Sequence, residues 1–214
     1  MHGLAVALAC ALAAGSASAG GLESLEAFLK TVSSGRAEFT QVVTMPARDG
    51  QAARTKSSSG SFEFSRPNRF RFSYRKPFEQ TIVADGQTLW LYDADLNQVT
   101  ARKQAQTLGA TPAALIAAAP DLRALQAEFS LQAAPAQEGM DWVLATPKAK
   151  EGQLQSVRLG FSIGGPVAAL SVLEIIDSFG QRSVLRFGQV EVNPALAAST
   201  FVFKPPPGAD LLRQ

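Results

Sequence analysis

A chain of 214 residues with 46% apolar side chains suits one domain with a sizeable core. Its 20 Lys and Arg against 18 Asp and Glu leave a net charge of +2, too small to argue for nucleic acid on charge alone. A count of 13 Phe against 2 Trp and 2 Tyr favours rings without a polar handle, which fill cores or line apolar cavities.

Residues 1–19, MHGLAVALACALAAGSASA, read as a secretory signal peptide cut after Ala17-Ser18-Ala19, leaving 20–214 as one soluble, exported domain. Ala7-Leu8-Ala9 before Cys10 is a poor lipoprotein box. The only histidine, His2, and the only cysteine, Cys10, leave with this segment. The expected mature chain therefore has no Ser-His-Asp or Cys-His nucleophile system, no Cys/His zinc site and no disulfide. No catalytic residue, metal or cofactor is expected, and the chain is not read as an enzyme.

Leu22, Leu25, Leu29 and Val32, with Phe28 beside them, recur at helical spacing, and Gly35 is expected to end that helix. RAEFTQVVTM follows as a strand with Ala37, Phe39, Val43 and Met45 on one face, interrupted by Gln41. From Pro46 to Ser59 the chain is small and polar, with Arg48, Arg54 and Lys56, and reads as a mobile surface loop. GSFEFSRPNRFRFSY, Gly60 to Tyr74, alternates aromatic and polar residues on both sides of Pro67-Asn68. It reads as a hairpin presenting Phe62, Phe64, Phe70, Phe72 and Tyr74 to one side. Arg66 breaks the pattern, since a guanidinium in the apolar register must find acceptors or reach water.

QTIVA and TLWLYD form a second hairpin across Asp85-Gly86-Gln87, with Trp90 and Tyr92 facing one way and Leu89 and Leu91 the other. QVTARK is another strand. Thr111-Pro112 opens an apolar helix, PAALIAAA, that Pro120 closes, and Asp121 to Leu125 adds a further turn. AEFSLQA, MDWVLAT, QLQSVRLGFSI, VAALSVLEIID and RSVLRFGQVEV are strands with short turns, and FVFKPPPG is a last strand stopped by its prolines. In QLQSVRLGFSI the Ser156, Arg158, Gly160 and Ser162 face is expected to be solvated. About ten short strands and two small helical segments argue for a large curled antiparallel sheet whose concave side the helices cover.

Other patterns carry less. Asp93, Asp95 and Asn97 match the start of a calcium loop, but Gln98 stands where glycine belongs and Gln104 where the bidentate glutamate belongs. Gly164-Gly165-Pro166 lacks the spacing of a phosphate loop. Arg69, Arg71 and Arg75 alternate with aromatics but point to the opposite face, so they read as a solvated outer surface rather than a nucleic-acid stripe.

The run GSFEFSRPNRFRFSYRKPFEQTIVADGQTLWLYDADLNQVT, then TPAALIA, then FVFKPPPG, resembles the periplasmic outer-membrane lipoprotein carrier family, LolA, over essentially the whole mature chain. The resemblance implies an α+β, mainly β, fold: an unclosed, strongly curled antiparallel half-barrel with a short α-helical lid over an apolar cavity. It implies a monomeric periplasmic carrier that takes lipoprotein acyl chains from an inner-membrane lipoprotein-releasing transporter to an outer-membrane acceptor. The family's lid arginine falls on Arg66, and the backbone groups it would bond fall on Ile82, Ile116 and Ala117. That agrees with the residue reading, because the last carbonyls of a short helix lack partners and attract a donor. The alternative is that Arg66 snorkels out past Pro67. Phe62, Phe64, Phe70, Phe72, Tyr74, Trp90, Leu115 and Ile116 are the candidate cavity lining. A paralogous carrier of a glycolipid or polyene-type lipid would share these features. The basic loop, the alanine-rich helix and the short tail after Gly208 depart from the family pattern.

Overall fold

The alternation of β2 (Arg54–Ser65) and β3 (Arg69–Lys76) sets the architecture, because both strands turn their aromatics to the same side and pair Phe62 with Phe72 and Phe64 with Phe70. The computed structural model describes residues 20–47, 51–104, 119–149, 152–163, 165 and 167–214. The segment read as a signal peptide, the helix expected from Thr111 and most of its residues lie outside these. Flanking the hairpin are β1 (Ser34–Met45), β4 (Gln80–Asp85), β5 (Thr88–Asp93) and β6 (Gln98–Lys103). The second half supplies β7 (Phe129–Gln137), β8 (Met140–Pro147), β9 (Leu154–Ser162), β10 (Ala169–Asp177) and β11 (Arg182–Val192), and the tail supplies β12 (Asp210–Arg213).

All join in one 12-stranded sheet of order β12-β6-β5-β4-β3-β2-β1-β11-β10-β9-β8-β7. Every pairing is antiparallel except β12 with β6. The edge strands β7 and β12 do not pair with each other, so the sheet is open and curled, as the sequence pattern predicts.

Helix α1 (Gly20–Thr31) buries Leu25, Phe28 and Leu29 and packs on β7, β8 and β9. Its end is held by Asn193, whose Nδ2 donates to the Thr31 carbonyl at 2.8 Å while its Oδ1 accepts from the Ser33 amide at 2.8 Å. Gly35 does not end the helix. It lies in β1, where an added Cβ would come 2.3 Å from the Phe64 ring, so glycine there makes room for an aromatic. Helix α2 (Leu122–Glu128) is the turn expected after Pro120, and Asp121 caps it by accepting from the Ala124 amide at 2.9 Å.

Several expectations are corrected. Residues 54–59 are not loop but the first half of β2, paired with β1 from Met45↔Arg54 to Thr40↔Ser59. Backbone pairing needs no apolar side chains, so this serine-rich run carried no strand signal. FVFKPPPG is not a strand: a 3-10 turn, Ala198–Phe201, takes in its first residue, and its three prolines offer no N–H to a ladder. The residues beyond Gly208 form β12 instead, started by the Asp210 amide donating to the Asn97 carbonyl at 2.9 Å.

The Arg69 and Arg71 face is not a solvated surface either, because the C-terminal segment crosses it. Arg71 Nη1 donates to the Thr200 carbonyl at 3.4 Å, and the Arg69 guanidinium sits 5.5 Å from the Phe201 ring centre. On β9, Arg158 lies 4.7 Å from the centre of the Trp142 ring, which also covers Gly160, so that outer face is partly closed. The buried Glu174 accepts there from Arg182 Nε at 2.8 Å and pairs with Arg158 at 3.5 Å. Among the described residues no helix is long and apolar enough to cross a membrane.

Candidate binding site

Strand register stacks the concave side in transverse rows. Gly35, Phe64, Phe70, Ala84 and Leu89 make one row across β1 to β5. Ala37, Phe62, Phe72, Ile82 and Leu91 make the next. Rings fill both rows: Phe62 stacks on Phe72 at 4.3 Å, and Phe39 meets Phe72 and Tyr74 edge-on at 5.5 and 5.0 Å. Phe28 of α1 closes the trough from above, 6.2 Å from Phe64 and 5.6 Å from Phe161. Among the described residues, a cavity of about 20 Å³ lies between these rings, bounded by Phe28, Val32, Phe62, Phe64, Leu170 and Phe187 among others. That is room for little more than a water molecule, so the described rings at this end of the trough pack closely on one another.

Arg66 stands at one end of this trough, in the turn between β2 and β3. Its backbone amide donates to the Ser33 carbonyl at 2.8 Å. The buried Gln104 fixes the same turn: its Nε2 donates to the Asn68 carbonyl at 2.7 Å, and its Oε1 accepts from the Gly86 amide at 3.0 Å. The guanidinium is thereby aimed inward rather than past Pro67 into solvent. Nη1 donates to the Ala119 carbonyl at 2.7 Å, while Nε and Nη2 are buried without a partner among the described residues. The rings of Phe28 and Phe64 lie 5.0 and 5.6 Å from the guanidinium carbon and offset part of the lost hydration. Burial still pushes the arginine pKa down to about 10. Each orphaned N–H costs roughly 1–3 kcal/mol, so this end of the trough holds a charge under tension.

Ala119 is an acceptor that the sequence does not single out. Ile116 and Ala117, like Leu115, fall outside the described residues. Ile82 does not bond the guanidinium: it lies in β4 between Phe72 and Leu91, its side chain against the core. Ala119 precedes Pro120, and a residue before proline is pushed out of helical geometry, which turns its carbonyl away from any helical ladder and leaves it open to a side-chain donor.

Of the expected lining, Phe62, Phe64, Phe70, Phe72 and Tyr74 are brought together on the concave side. Trp90 is not. It faces outward, its ring stacked on Phe203 at 5.5 Å and its Nε1 donating to Asp85 at 2.9 Å, because Leu89 and Leu91 take the inward positions of β5. Phe28, Phe39, Phe161 and Phe187 belong to the aromatic cluster but were not singled out as lining. Phe28 and Phe39 were legible from their periodicity, whereas Phe187 meets Phe62 at 5.6 Å only through the β1–β11 pairing.

Residues 30–204 match the family model described as "Outer membrane lipoprotein carrier protein LolA". The chain belongs to the LolA family. Its relatives include an "Outer-membrane lipoprotein carrier protein" of Albidiferax ferrireducens, 70% identical over 201 residues that cover 94% of either chain. Another of the same description, from Methylibium petroleiphilum, is 54% identical over 206 residues covering 96% of either. A DUF1329 family protein from Desulfovibrio piger superposes with a TM-score of 0.53 at 11% identity, covering 86% of this chain and 96% of that one. An uncharacterized conserved protein from Thermus thermophilus superposes at 0.51 with 13% identity, covering 90% and 98%. These two likenesses concern fold alone, and the fold they share with this LolA-family chain is the open, curled sheet.

Proposed function

We propose that this LolA-family chain is a periplasmic carrier of lipoprotein acyl chains, with residues 1–19 removed on export and 20–214 acting as one unit. It receives its cargo from an inner-membrane lipoprotein-releasing transporter and yields it to an outer-membrane acceptor. The observation that carries the reading is the buried Arg66, which donates to the Ala119 carbonyl above a trough of phenylalanine rings.

Acyl chains need more space than the described rings leave between them. Entry must part the segment at Ala119 and the Phe28 ring from the hairpin, which breaks the Arg66 bond and exposes apolar wall to the cargo. Burying a chain stabilises by about 0.8 kcal/mol per CH2, so a trough that gripped every methylene would not release it. Re-forming the Arg66–Ala119 bond in the empty state offsets part of that grip and favours hand-over. The guanidinium also makes poor company for hydrocarbon, which weakens the loaded state further.

Arg66→Leu tests this in a reconstituted transfer from inner-membrane vesicles to an acceptor. The variant is expected to accept lipoprotein and to hand it on slowly, and transfer at the normal rate would remove the latch from the mechanism. Mass spectrometry of material co-purifying from the periplasm tests the cargo, with di- or triacylated peptide expected. A glycolipid or polyene in its place would overturn the lipoprotein reading.

A further inference from the structure

The rows that make the trough apolar near Arg66 do not continue to its other end. One row beyond Phe62 and Phe72, the inward positions are Phe39, Gly60, Tyr74, Gln80 and Asp93, and the row after that pairs Gln41 with Ser58. Lys56 follows by strand alternation. The interior therefore passes from phenylalanine to hydrogen-bonding side chains within two rows. Between these polar groups and the loop of Pro77 and Phe78 lies a pocket of about 640 Å³, far larger than the space left between the rings.

We propose that this polar end holds the head of the cargo: the ester and amide groups that join acyl chains to the first residue of a lipoprotein. The inference rests on the carrier reading above and adds an orientation, with chains directed toward Arg66 and the peptide leaving past Phe78. The chemistry matches. Ester and amide carbonyls accept hydrogen bonds, and the pocket offers donors in Lys56, Ser58, Tyr74 and Gln80. Lys56 makes no ion pair among the described residues, so its ammonium is available. Burial holds the Tyr74 phenol at about 12, which keeps it a neutral O–H donor. Asp93 uses Oδ1 to accept from the Leu96 amide at 3.1 Å, which leaves its second oxygen to accept from a peptide N–H. Gln41 is fixed by donating to Ser183 at 2.7 Å and serves as wall. Phe78, 66% exposed at the rim, is an apolar surface for the first methylenes or for the peptide.

The test compares two probes on the mature protein: a synthetic peptide whose N-terminal cysteine bears ester-linked palmitoyl chains, and an uncharged naphthalene dye that reports only the apolar trough. In the double variant Lys56→Met with Gln80→Leu, the lipopeptide Kd is expected to rise about tenfold while the dye Kd and the melting temperature stay unchanged. Lys56→Arg, which keeps the donor, should bind the lipopeptide within about twofold of wild type. An unchanged lipopeptide Kd in the double variant, or an equal loss for dye and lipopeptide, overturns the head-group site and leaves the carrier reading standing. Failure of the wild-type protein to bind the lipopeptide while it binds the dye overturns both.

Discussion

Arg66 Nη1 donates to the carbonyl of Ala119 at 2.7 Å, joining the β2–β3 turn to the segment that leads into α2 across 53 residues of chain. That bond satisfies one nitrogen of a group whose other two are buried without partners among the described residues. Arg66→Leu exchanges the bond and the two ring contacts for an apolar side chain in an apolar place. The exchange is expected to raise the free energy of unfolding of the empty protein by about 1 kcal/mol. Urea denaturation measures it, and a lower midpoint for the variant would mean that the bond outweighs the orphaned nitrogens.

Gly60 sits where β3 gains a residue against β2, and a Cβ there would approach the Ser73 carbonyl oxygen to 2.0 Å. Backbone cannot swing aside as a side chain can. Gly60→Ala should cost about 3 kcal/mol by parting β2 from β3, whereas Gly35→Ala, which meets the edge of the Phe64 ring, should cost less. Denaturation midpoints of the two variants give the order directly.

Phe203 and Trp90 stack on the convex side, away from the trough. Phe203→Ala should lower stability by about 1 kcal/mol and leave binding of an apolar dye unchanged. A loss of dye affinity would show that the C-terminal segment and the trough are coupled through the sheet.

Burial raises the Tyr74 phenol from 10 to about 12. A group whose folded pKa is raised contributes stability that is complete below its unfolded pKa and is lost as pH climbs through the folded one. Wild-type protein should therefore lose stability relative to Tyr74→Phe between pH 10 and 12, on the order of 2 kcal/mol. Arg66 acts oppositely over this range: its folded pKa is depressed to about 10, so shedding its proton there favours the folded state. Comparing Tyr74→Phe with wild type in the Arg66→Leu background isolates the tyrosine, and parallel pH profiles would contradict the assignment.

Particular residues show how far the fold and the site could be read beforehand. The period of two from Phe62 to Tyr74 identified a hairpin with one aromatic face, and Arg66 stood out because it occupied the apolar register. Lys56 and Ser58 carried no such signal, since a serine-rich run looks like loop until β1 pairs with it, and the polar end of the trough was hidden with them. Trp90 and Leu91 are both apolar, so alternation placed them on opposite faces without saying which face was inside. Phe203 settles that by covering Trp90. The three prolines after Lys204 marked an end to pairing, yet three residues beyond Pro207 the tail pairs again, in parallel, with β6.

The sequence by itself determined the curled, mostly antiparallel sheet, the aromatic face of the β2–β3 hairpin and the family, because these follow from local periodicity and from motifs contiguous in the chain. Tertiary structure alone decided that Arg66 reaches the carbonyl of Ala119, that the described rings pack closely on one another and that the polarity of the concave side changes along its length. Each of those depends on strand register and on contacts between distant segments, where the free energy of burying one charge or one ring is set by neighbours the local sequence does not name.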